Sequence, residues 1–318
     1  MTGPSLRSFF KARKAYMREA LPVELAVLKK GWPYMVGGLI SLLVHNWVHN
    51  MAYYFAAKYQ VYGPYKGPNN NIHDFGFEWF GTAFVDWSFP PGDIVLYITL
   101  VIAIVYALRP LVFSFPTRTM NILWRVLTMS IFTVTGRCIS FIFTLLPSSA
   151  QHCSEDEFDP PKNWGEIFTH LSVSGGCSDL VYSGHMMYAI LATCAIFRYA
   201  QNWYIKITCL ALNILQGFVI VASRAHYSVD VIVAAYTIPA FWCTFAYFVP
   251  EDIGPNSVPL PKTSLDVGVP AVLPDSRGGG VPDLELGGAT GASSSSVSAA
   301  AQASSPHAVA AVEAPREQ

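Results

Sequence analysis

The sequence predicts an all-α membrane protein: six transmembrane helices, an amphipathic helix before them and a disordered tail after them. Three observations carry this. Apolar residues make up 52% of the 318 and charged residues only 13%, about half the roughly 25% of an average soluble chain. Six apolar stretches near the roughly 20 residues a bilayer requires follow one another between residues 33 and 250. Lys and Arg gather in alternate connections, the asymmetry that orients a multi-span chain. Mean hydropathy is +0.35, and Trp and Tyr lie near segment ends, as at membrane interfaces.

Residues 1–32 hold Arg7, Lys11, Arg13, Lys14, Arg18, Lys29 and Lys30, with Glu19 and Glu24 among apolar residues. This segment reads as an amphipathic helix on the cytosolic membrane surface. The membrane domain, 33–250, has spans at about 33–57, 93–114, 120–146, 183–200, 203–223 and 228–249. The first span carries His45, Asn46, His49 and Asn50, which must face other helices or water rather than lipid. The fourth and fifth are joined by a tight turn at Gln201-Asn202 and should pack as a hairpin. Residues 251–318 are rich in Pro, Gly, Ala and Ser. They cannot bury enough apolar surface to fold and read as a disordered cytosolic tail.

Orientation follows from the cations. Besides the N-terminal seven, Arg109 and Arg118 flank the second-to-third connection, and Arg198 and Lys206 flank the fourth-to-fifth turn. The loop of about 147–182 holds Lys162 against Glu155, Asp156, Glu157, Asp159, Glu166 and Asp179. Both termini are therefore expected in the cytosol and the acidic loop across the membrane. His185 and His226 then open the fourth and sixth spans from the same, non-cytosolic face. No basic stripe suggests nucleic acid, and no Cys or His spacing suggests a metal. No metal or cofactor is expected. Cys138, Cys194, Cys209 and Cys243 fall inside apolar segments, whereas Cys153 and Cys177 share the polar loop. Those two are either a disulfide or two free thiols.

His226 and Asp230, four residues apart, share one helix face. The carboxylate can hold one imidazole nitrogen and leave the other free to attack phosphorus. The same pair also suits a structural histidine at a helix start. Ser183-Gly184 before His185 offers a hydroxyl and backbone N–H groups at a helix N-terminus, which favour phosphate. A second histidine there can protonate a leaving oxygen and then deprotonate an incoming hydroxyl. Arg224 is either a phosphate ligand or a snorkelling interfacial cation. Arg137, inside the third span, needs a partner: Asp179, a lipid phosphate or a helix-end carbonyl. Asp179 could instead cap the fourth span.

Cys177-Ser178-Asp179-Leu180-Val181-Tyr182-Ser183-Gly184-His185 resembles the Cys-Gly-Asp-x-x-x-Ser-Gly-His motif of sphingolipid synthases. His226-Tyr227-Ser228-Val229-Asp230-Val231 is similar to their His-Tyr-Thr-x-Asp-Val. Gly136-Arg137, continuing to Thr144-Leu145-Leu146-Pro147, resembles a third element. Gln151-His152-Cys153, Pro160-Pro161-Lys162-Asn163, Glu24-Leu25-Ala26 and Trp32-Pro33-Tyr34 resemble the plant-type inositol phosphorylceramide synthases. The likeness runs from about residue 15 to 250. Ser178 for Gly, Met186 for Thr and Ser228 for Thr depart from the family pattern, and none removes a catalytic group.

The resemblance implies a six-span lipid phosphotransferase in the Golgi membrane with a lumenal site. His226 would attack the donor phosphorus, Asp230 would orient it, and His185 would serve as acid and then base. Asp179, Ser183, Arg224 and Arg137 are read, from their own chemistry, as the substrate-binding residues. The partners implied are membrane lipids: ceramide as acceptor and phosphatidylinositol, or another glycerophospholipid, as donor. The rival readings are transfer of phosphocholine or phosphoethanolamine to ceramide or diacylglycerol, a lipid phosphate phosphatase, and an ion-binding transporter or receptor. Oligomeric state is not legible.

Overall fold

The structure is a computed structural model describing residues 6–59, 61, 72–81, 84, 91–112, 117–150, 153, 159–170 and 177–249. The secondary structure among them is helical: α1 (Leu6–Tyr59), α2 (Phe75–Phe80), α3 (Pro91–Val112), α4 (Thr119–Phe143), α5 (Trp164–Thr169), α6 (Gly184–Tyr199), α7 (Trp203–Ala222) and α8 (Ser228–Phe248). The expected tail, 251–318, lies outside the described residues, as do Gln151 and His152.

Among the described residues, four helices are long and apolar enough to cross a bilayer: α3, α4, α7 and α8. The other two expected spans differ from them. The fourth corresponds to α6, whose 16 residues rise about 24 Å. The first is not separate, because residues 6–59 form one 54-residue helix through Pro22 and Pro33. The expected boundary at residue 32 is thus absent from the backbone.

Packing explains that continuity. Tyr16, Ala20, Glu24 and Val27 recur at helical spacing and are all buried. The Tyr16 hydroxyl donates to the Pro110 carbonyl at 3.0 Å. Glu24 accepts from the backbone N–H groups of Thr119 (3.0 Å) and Met120 (2.9 Å), which have no intrahelical partner. A carboxylate from α1 therefore caps α4, where the helix dipole favours negative charge. Glu24 was expected on an interfacial helix and instead lies within the bundle. Further along, a Cβ on Gly38 would come 2.6 Å from the Leu127 carbonyl oxygen of α4. Only glycine permits that approach of the two helices.

α6 is the centre of the bundle and packs against α3, α4, α7 and α8. Its buried residues surround the axis, including Met187, Leu191, Thr193 and Ile196, the pattern of a helix enclosed by others. On α3, by contrast, Ile94, Tyr97, Ile98, Val101, Val105 and Leu108 remain exposed as one apolar stripe, which suits a lipid-facing surface. The polar side chains of α1 turn inward. Asn50 donates to the Ile167 carbonyl at 2.9 Å and the His170 carbonyl at 2.7 Å. Asn46 reaches His170 as well. These bonds attach the α5 segment to α1.

Candidate active site

The first part of the site is the start of α8. The turn after α7 closes with Arg224 and Ala225 donating to the carbonyls of Val221 and Ile220, and Arg224 takes a φ of 57°. His226 follows and is 2% exposed. Its Nδ1 lies 3.0 Å from Asp230 Oδ2. Asp230 is fully buried. Its Oδ2 also accepts from the Tyr227 N–H at 3.1 Å, and its Oδ1 from the Val181 N–H at 2.7 Å. With two backbone donors fixing the carboxylate, the imidazole has one orientation, which turns Nε2 away from the carboxylate.

Val181 shows what that arrangement requires. Its φ is 79°, the left-handed region that a β-branched residue seldom enters, at a cost on the order of 1–3 kcal/mol. The strained backbone aims its N–H at Asp230. The Ser183 N–H meanwhile donates to the Asp230 carbonyl at 3.2 Å. The two motif segments are thus joined around one aspartate.

The second part is the start of α6. Ser183 is the N-cap, accepting from the Met186 N–H at 3.3 Å. Gly184 lies against Arg137, and a Cβ there would sit 3.2 Å from the guanidinium. His185 projects toward α8, with its ring centroid 6.1 Å from that of His226. His185 Nε2 is 2.6 Å from Asp93 Oδ1 on the first turn of α3. Each histidine therefore has its own carboxylate, which fixes the orientation of its ring. Asp93 was not singled out in the sequence. The signal was there: an acid opening the second span lies, by the cation asymmetry, on the face of His185 and His226. If Asp93 orients His185, Asp93→Asn should slow transfer by about 10²-fold, the lower end of a general acid's contribution, and Asp93→Glu should recover part of it. Steady-state turnover of the two variants in liposomes checks this, and equal rates would remove the role.

Beneath the α6 start lies a buried charge cluster. Arg137, 3% exposed, pairs with the Asp179 carboxylate and also donates to the Asp179 carbonyl. Of the partners open to Arg137 in the sequence, Asp179 is the one in contact. His45 Nε2 lies 3.2 Å from Arg137 and His49 Nε2 3.4 Å from Asp179, so the α1 histidines face this pair. Burial works to raise the Asp179 carboxyl; Arg137 and His49 overcome it and hold the group well below the usual carboxylate range. Cys153 and Cys177 are disulfide-bonded, and the Cys177 N–H donates to the Tyr53 hydroxyl at 3.1 Å.

Arg224 lies over the Phe77 ring of α2, 5.1 Å from its centroid. Asp74, just before α2, accepts from the Ser228 N–H (2.6 Å), the Ser228 hydroxyl (2.7 Å) and the Gly76 N–H (2.8 Å). One carboxylate thus caps α2 and α8 together. Asp74 was also missed, because an acid in a polar connection is ordinary and its partner is 154 residues away.

The PAP2 superfamily C-terminal family model matches residues 176–247, the segment that holds both histidines. The rice (Oryza sativa subsp. indica) phosphatidylinositol:ceramide inositolphosphotransferase is 27% identical over 226 residues. That match covers 69% of this chain and 66% of the rice protein, just under two thirds of its length. The Arabidopsis thaliana phosphatidylinositol:ceramide inositolphosphotransferase 2 is 28% identical over 254 residues, covering 77% of this chain and 79% of that one. The Gallus gallus phosphatidylcholine:ceramide cholinephosphotransferase 1 is 32% identical over 126 residues, 33% of this chain and 29% of that protein.

Proposed function

The chain belongs to the sphingolipid synthase family, with plant-type inositol phosphorylceramide synthases among its relatives, and on that premise we propose that it moves phosphoinositol from phosphatidylinositol to ceramide. The products are inositol phosphorylceramide and diacylglycerol. The observation that carries the reading is the pair of histidines, each on its own carboxylate, with ring centroids 6.1 Å apart. That gap suits a phosphorus between a nucleophile and an acid.

His226 Nε2 forms a bond to phosphorus as the bond to the diacylglycerol oxygen breaks, and His185 delivers a proton to that oxygen. The head group is then held as a phosphohistidine. In the second half, His185 takes the proton of the ceramide primary hydroxyl, whose oxygen attacks phosphorus as the N–P bond breaks. Asp230 keeps the Nδ1 proton of His226 in place throughout. Ser183 and the first N–H groups of α6 cradle the phosphate. Arg224, from its place over Phe77, and Arg137, from beneath Gly184, supply positive charge as the transition state develops. Asp179 acts through Arg137.

Inositol as head group is supported by the names and coverage of the rice and Arabidopsis relatives. The chicken match favours a second reading, with phosphatidylcholine as donor. Purified protein in liposomes with labelled ceramide and one donor at a time distinguishes them. Inositol phosphorylceramide is the expected product. Sphingomyelin would support the second reading. Fast diacylglycerol release that ignores ceramide would indicate water as acceptor and a phosphatase.

In the same reading, the C-terminal half of α1 and the short α6 cross the membrane with α3, α4, α7 and α8. Both termini then face the cytosol and the site faces the lumen of the Golgi, where the Cys153–Cys177 disulfide suits an oxidising compartment. The start of α1 extends along the cytosolic surface. A glycosylation acceptor engineered beside Asp159 should be modified in cells, while one in the tail should not. The opposite pattern would overturn this orientation. Imaging a tagged chain against Golgi markers tests the organelle.

A further inference from the structure

We propose that the groove between α6, α7 and α8 holds the hydrocarbon chain of the lipid acceptor and presents its hydroxyl end to the two histidines. This deepens the transferase reading and rests on it. The groove has a volume of about 1080 Å³, slightly above the roughly 300–1,000 Å³ of most small-molecule sites. Its upper end is lined by Asp74, Met186 and Ser228. Met186 directly follows His185, and Ser228 is two residues from His226. Its lower end is lined by Arg198, Trp242 and Cys243. From Ser228 to Cys243 along α8 the rise is about 22 Å, more than half of the roughly 30 Å hydrocarbon core. The space is therefore long and mostly apolar, and one end lies against residues close in sequence to the two histidines.

Two further features identify an occupant that enters from the bilayer. Ile214, Phe218 and Ile232 line the groove and are 55%, 50% and 59% exposed, so it is open along its side and a chain can slide in without crossing water. Midway down, Asn213 of α7 donates to Thr193 Oγ1 of α6 at 2.6 Å. Asn213 Oδ1 is buried with no hydrogen-bond partner. Polar side chains within spans hydrogen-bond across helices, and an unmet polar atom there is costly. This side chain bridges α6 and α7 and keeps an amide in the middle of a mostly apolar wall. Ala235 lines the groove on α8 and is exposed, whereas Ala240, on the same helix and also exposed, is outside the lining.

The test uses the full chain in liposomes with a ceramide bearing a photoactivatable group at the end of its acyl chain. Labelling is expected in α7 or α8 near Leu210, Trp242 and Cys243. In Ala235→Phe, a ring blocks the groove halfway. That variant should lose the label, and its turnover of a sixteen-carbon ceramide relative to a six-carbon one should fall by about tenfold. Ala240→Phe should keep the wild-type chain-length profile. Label on the α1–α4 seam would overturn the inference, as would equal loss for both chain lengths in Ala235→Phe. So would labelling of the groove by a photoactivatable phosphatidylinositol in place of ceramide. Failure of the transferase reading looks different: the wild type would then pass no head group to any ceramide, whereas failure of this inference leaves transfer normal and the label elsewhere.

Discussion

His226→Ala should reduce transfer by between about 10⁴- and 10⁶-fold, the range seen when one member of a nucleophile–base–carboxylate unit is removed. In the proposed mechanism His185 does not replace it, because it holds Asp93 at 2.6 Å and carries the proton. Asp230→Asn should cost about 10⁴-fold for a reason legible in the hydrogen bonds. The Asp230 carboxylate accepts from three donors: the Val181 N–H, the Tyr227 N–H and His226 Nδ1. An asparagine amide must present one NH₂ among them, and the His226 ring answers by placing its proton on Nε2, the nitrogen that has to attack. A donor lipid with a radiolabelled phosphate provides the direct measurement. Wild-type protein incubated without ceramide should acquire an acid-labile label, His185→Ala should acquire it slowly, and His226→Ala should not acquire it at all. Label on His226→Ala would remove the covalent mechanism.

The legible parts of this site were those with local spacing. His226 and Asp230 are four residues apart, and the helix makes them a pair without tertiary information. His185 joined them through topology, since the cation asymmetry placed both span mouths on one face. Asp93 lay within reach of the same topological reasoning, yet nothing local distinguishes an acid that caps a span from one that holds a histidine. Asp74 and Glu24 were beyond it, because each caps a helix far away in sequence. α1 misled for a related reason. Its basic N-terminal residues suggest an amphipathic segment on the membrane surface, but the buried line through Tyr16, Ala20, Glu24 and Val27 belongs to packing on α3 and α4. Arg137 fell between these cases. The sequence required a partner for it, and only the fold, by bringing the residue-179 loop onto α4, supplied Asp179.

That pair supplies the second large effect. Removing Asp179 leaves the Arg137 guanidinium buried without its counter-charge, and breaking a buried pair in this way costs about 3–5 kcal/mol. Asp179→Asn should therefore lower the melting temperature in detergent sharply at neutral pH, whereas Arg137→Met with Asp179→Leu, which removes both charges, should recover most of it. The dependence on pH has a definite sign. Asp179 is held well below its ordinary pKa in the folded protein, so its contribution is present above the unfolded value of about 3.9 and is lost as pH falls through the folded value. Wild-type stability from this pair should be level near neutrality and decline only below about pH 4, and Asp179→Asn should lack that decline. Activity separates packing from a role toward substrate. Gly184 lies on the guanidinium, so a double variant that melts like wild type but transfers slowly would support positive charge beneath the His185 turn as part of phosphate binding. A double variant that both melts and turns over like wild type would confine Arg137 and Asp179 to holding the fold. Unchanged melting in Asp179→Asn would refute the stability argument itself.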